Sequence, residues 1–122
     1  MTLRDLHADF AWVVVATNAA VGLWALAGHW YDGLRTPWLW RATVLAELTI
    51  VVEVCLGVAL VAVEDYEVAQ FHAFYGFVAL ATIGIVYSYR QQVEQHLYLL
   101  YGLGGLFLMG LALRAISISP IP

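Results

Sequence analysis

The sequence predicts an all-α integral membrane protein, a four-helix up-down-up-down bundle made of two repeated helical hairpins. Three observations carry this. Hydrophobic residues make up 63% of the 122-residue chain and charged residues 11%, less than half of the roughly 25% usual in soluble domains. Four charge-poor windows, residues 10–31, 42–63, 68–89 and 95–113, each approach the ~20 residues that cross a hydrocarbon core of about 30 Å. The polar connections are so short that neighbouring spans must run antiparallel.

A soluble fold of this size cannot hide so much apolar surface, so the expected solvent is lipid. The length suits one transmembrane domain, residues 1–122, with spans at 8–30, 40–63, 69–89 and 96–116. A single Cys excludes a disulfide scaffold, and a net charge of −4 without a basic patch excludes a nucleic-acid binder.

The first window, residues 10–31, has no formal charge. Its Ala25-Leu26-Ala27 resembles a signal-peptide cleavage site, but Arg4 is outweighed by Asp5 and Asp9, so a retained helix is expected. Span two follows Pro37 and carries Glu47 and Glu53, while span three carries no formal charge. Span four contains Gly102, Gly104, Gly105 and Gly110. Together with Gly76 and Gly84 on span three and Gly57 and Ala59 on span two, these small residues predict close helix packing, because lipid offers helices no hydrophobic reason to associate. Cys55 reads as a small apolar filler.

Arg35, Arg41 and Arg90 fall in the loops after spans one and three, against Arg4 and Arg114 on the opposite side. The positive-inside rule then places both termini outside, in a prokaryotic plasma membrane. Trp30, Trp38 and Trp40 mark the cytoplasmic boundary as interfacial anchors. Asp5, Asp9, Glu64, Asp65 and Glu67 form a solvated acidic rim on the outer face.

The chain also resembles itself. Residues 7–13 (HADFAWV) match residues 72–78 (HAFYGFV) as His, Ala, any, aromatic, small, aromatic, Val. The same alignment pairs Ala16-Thr17 with Ala81-Thr82 and Val21 with Val86, and residues 56–60 (LGVAL) resemble 109–113 (MGLAL). Two copies of one hairpin in the same orientation are related by an axis along the membrane normal.

Two polar features bear on function. A carboxylate inside a bilayer costs about 2.5–3.5 kcal/mol on insertion scales, so Glu47 and Glu53 need partners or a proton. Glu53 and Asn18, each near the middle of its window, are expected at one depth with Thr17 and Thr82. Glu47 is shallower, within reach of Arg41, Tyr98 or Tyr101. The cluster reads as a proton or cation site, or as a lock on helix register. His7 and His72 are repeat-equivalent and begin spans of the same orientation, which suits two axial imidazoles of a b-type haem. Ala11 and Gly76, one turn on, would leave room for the macrocycle. His29 and His96 lie at the other end and are not related by the repeat, so they read as interfacial histidines. No catalytic set, metal cluster or nucleotide-binding fingerprint is present.

Four spans in so short a chain resemble the small multidrug resistance transporters. Those carry their essential glutamate in the first span, and span one here has none. Paired hairpins with equivalent histidines are similar to small cytochrome b561-like membrane proteins, a resemblance of architecture that implies a haem without showing one. Three functional readings follow. The first is a non-enzymatic accessory subunit, surrounded by lipid and other membrane subunits of a larger, energy-transducing complex. The alternatives are a bis-His b-haem electron carrier and a small proton-coupled transporter using Glu53.

Overall fold

The computed structural model describes residues 1–65, 67 and 70–118. Four helices lie among them: α1 (Leu3–Trp30), α2 (Pro37–Glu64), α3 (Gln70–Tyr89) and α4 (Leu97–Ser117). All four are long and apolar enough to cross a membrane, and no strand is found among the described residues. The chain is therefore an all-α bundle of an integral membrane protein.

Local chemistry sets the helix ends. Thr2 and Asp5 form a capping box, Thr2 Oγ1 accepting from the Asp5 N–H (3.1 Å) and Asp5 Oδ2 from the Thr2 N–H (3.2 Å). This starts α1 five residues earlier than the expected 8. Pro37, whose missing N–H is no loss in a first turn, opens α2. Asp65 ends it in the left-handed region, with φ 56° and its N–H donated to the Leu60 carbonyl. Short 3₁₀ turns at Asp32–Leu34 and Glu94–His96 make the connections at the far end.

Polar side chains lie inside among apolar ones, and large apolar side chains cover the outside. Asn18, Thr43 and Thr49 are buried, whereas Trp12, Leu23, Val44, Leu48, Val58, Phe71, Phe77 and Ile85 are exposed. In water this would be inverted; in lipid, apolar side chains are at home outside and polar ones find partners inside. Val14, Ile50, Ala79, Leu108 and Leu111 form the central core.

α1 packs most closely on α4, then on α2; α3 rests on α4, and α2 and α3 barely touch. The α1–α4 seam depends on glycine. A Cβ at Gly102 would lie 2.7 Å from Leu26 Cα, and one at Gly105 would lie 2.9 Å from Gly22 Cα. Backbone meets backbone there, an approach that only small residues permit. Gly104 lies close to Val86, whereas Gly76, Gly84 and Gly110 face open space and do not pack as expected.

Candidate functional site

His7 begins an inward stripe on α1 that continues through Ala11, Val14, Asn18, Gly22 and Ala25 to His29, the three- and four-residue steps of one helix face. Its ring rests on α2: a Cβ at Gly57 would lie 3.1 Å from His7 Cε1. One turn deeper, Glu53 reaches back so that its Oε1 lies 3.0 Å from His7 Nδ1. The Nδ1 and Oε1 atoms are buried, yet they are not aligned for a good hydrogen bond and have no other partner among the described residues. A rotation of the ring about χ2, a soft torsion in His, brings them into line.

His72 faces this group from α3. Its Nδ1 lies 2.8 Å from the Ala115 carbonyl of α4. A carbonyl can only accept, so Nδ1 carries the proton and Nε2 keeps its lone pair. The His7 and His72 ring centres are 6.2 Å apart, with planes at 81°. All four helices thus contribute to one end of the bundle: His7 from α1, Glu53 and Gly57 from α2, His72 from α3 and Ala115 from α4. Beside His72 a cavity of about 260 Å³ is lined by Phe71, Tyr75, Arg114 and Ile118.

The intramembrane polar residues divide differently from the sequence expectation. Asn18 is level with Ala46, not with Glu53: its Nδ2 donates to the carbonyls of Val14 (2.9 Å) and Ala46 (3.3 Å). Glu53, seven residues further along α2, lies about 10 Å away along the axis. The apolar windows placed the helix midpoints too deep, because α1 runs up to Leu3 through a polar first turn. Thr17 meets Thr49, with their hydroxyl oxygens 3.4 Å apart. Thr82 donates to the Val78 carbonyl of its own helix and takes no part in a cluster. Glu47, with Asn18, Thr43 and Tyr101, lines an inner cavity of about 20 Å³, room for about one water. Arg41, considered as a partner for Glu47, lies over the Trp38 ring instead.

At the opposite end the structure brings His29 and His96 together, with ring centres 5.8 Å apart. The repeat gave no sign of this. The only signal was that His29 continues the inward stripe of α1. Gly22 and Gly28, both in close contact with α4, were also missed.

Among the described residues, no group of three or more His, Cys, Asp or Glu side chains is placed to hold a metal ion. Compared with known proteins, the chain matches no family model, no curated protein and no solved structure.

Proposed function

We propose that this protein is a membrane electron carrier that holds one b-type haem between His7 and His72 and passes electrons to partner subunits of a larger complex. The carrying observation is the facing pair of imidazoles, with Nδ1 of one on a carbonyl and Nδ1 of the other beside a carboxylate. Histidines that ligate a metal typically engage their second nitrogen in this way, which sets the tautomer and aims the lone pair.

The spacing supports the reading. With a metal–nitrogen bond of about 2 Å and about 1.1 Å from nitrogen to ring centre, two imidazoles on opposite sides of one ion have centres about 6 Å apart. Two side chains suffice for such a group, because the macrocycle supplies the remaining four nitrogens. The loose seam between α2 and α3 offers a way in, and Arg114 in the adjoining cavity suits a carboxylate substituent. Bound haem supplies reversible one-electron chemistry. Gly57 seats the His7 ring, Glu53 orients it, and the Ala115 carbonyl holds His72.

The proposed setting is a prokaryotic plasma membrane with both termini outside, which puts the pair at the outer face. A chain with so little exposed loop needs partners to deliver and accept electrons. The test is a reduced-minus-oxidised visible spectrum of protein purified from haem-replete cells. A low-spin b-type spectrum is expected, lost or converted to high-spin in His7→Ala and His72→Ala. A folded, colourless protein would end this reading and favour a transporter worked by Glu53, whose mark would be proton-dependent uptake lost in Glu53→Gln.

A further inference from the structure

The second pair of imidazoles stands at the arginine-bearing end, where one guanidinium joins two helix ends. His29 is half-buried at the end of the α1 stripe, and His96 stands exposed in the turn before α4. Arg35 binds the last turn of α1, donating from Nε to the Gly28 carbonyl (2.6 Å) and from Nη2 to the His29 carbonyl (2.9 Å). The same guanidinium lies 4.7 Å from the ring centre of Tyr98, two residues beyond His96. Gly28 leaves the space for that ring, since a Cβ there would lie 3.3 Å from Tyr98 Cδ1. Arg35 therefore clips the end of α1 to the start of α4, and the two histidines are carried on the parts it joins.

The occupant has to be small. Leu39 is fully buried at this level, and Trp40 lies 5.1 Å from Tyr98 and 5.3 Å from Tyr101, ring centre to ring centre. The helix ends touch at Gly28 and Tyr98, so a flat macrocycle has no slot. A single ion does. Two imidazoles on one ion have centres about 4.5 to 6.4 Å apart as the angle at the metal opens from 90° to 180°. The observed 5.8 Å falls inside that range. Nitrogen donors select borderline transition metals over Mg²⁺ or Ca²⁺. The Arg35 charge is occupied by two carbonyls and by Asp32, 3.4 Å away.

We infer that His29 and His96 bind one divalent transition-metal ion, Zn²⁺ or Cu²⁺ in class, with solvent completing its coordination. The ion staples the end of α1 to the start of α4. This site stands independently of any haem at the other end.

The test uses the full chain in detergent with any affinity tag removed, titrated with ZnCl₂ by calorimetry and with CuCl₂ by electron paramagnetic resonance. One Zn²⁺ per chain is expected, with a Cu²⁺ spectrum showing two imidazole nitrogens. His29→Ala and His96→Ala should each weaken Zn²⁺ binding at least about tenfold and abolish the rise in unfolding midpoint that zinc gives the parent. Because His96 is exposed, its variant keeps the fold. Unchanged affinity in His96→Ala overturns the inference, as does zinc binding that disappears in the His7→Ala, His72→Ala double variant instead. The haem spectrum is read separately, so the two proposals fail separately.

Discussion

The His7 ring lies against Gly57 so closely that a single methyl group at position 57 would stand 3.1 Å from its Cε1 atom. A glycine on one helix thus determines where an imidazole from another can sit. The contact also sets the level at which α1 meets α2, because Asn18 and Ala46 touch in the same antiparallel register.

Replacing Gly57 tests this seat. Gly57→Ala should shift the ring by a few tenths of an ångström. Gly57→Leu should displace it, at an overpacking cost of about 1–3 kcal/mol. The expected result is loss of the haem spectrum with helix content by circular dichroism unchanged. An unaltered spectrum in Gly57→Leu would show that the ring is not held there.

Glu53 is expected to act as an orienting group. Glu53→Gln keeps an acceptor near His7 Nδ1 and should retain most haem affinity. Glu53→Ala removes it and should weaken haem binding about 10- to 100-fold, the usual effect of losing such a partner. Haem titration of the apoprotein measures both.

The α1–α4 seam should be the least tolerant part of the fold. Gly102→Leu puts a side chain where the Leu26 backbone already stands, and backbone cannot rotate away. A loss of more than about 2 kcal/mol is expected in equilibrium unfolding in mixed micelles. Gly110→Ala, which faces open space, should change stability by less than about 0.5 kcal/mol.

The topology is open to labelling. Single cysteines at Thr2 and Asp65 should react with an impermeant maleimide from one side of the membrane, and one at Asp32 from the other. Labelling of Asp32→Cys and Asp65→Cys from the same side would refute the up-down-up-down order.

Several features follow from the sequence alone. Composition and window length determined that the chain carries four membrane-crossing helices, since a backbone in lipid must satisfy its polar groups within its own segment. The capping box at Thr2 and Asp5 and the proline at 37 set the helix starts at Leu3 and Pro37, ahead of the 8 and 40 that the apolar windows gave. Positions at the starts of the first and third helices put His7 and His72 at one end of an antiparallel bundle. Tertiary structure decided the rest: that Glu53 turns to His7 and not to Asn18, that Gly57 seats a ring, that Gly22 opposes Gly105, and that His29 meets His96. These contacts depend on how each helix is rotated and how far it slides past its neighbours. In a soluble bundle an apolar stripe would mark the inward face. Here lipid-facing and core-facing sides are equally apolar, so rotation and register were settled only where glycines let backbones meet and polar side chains found partners.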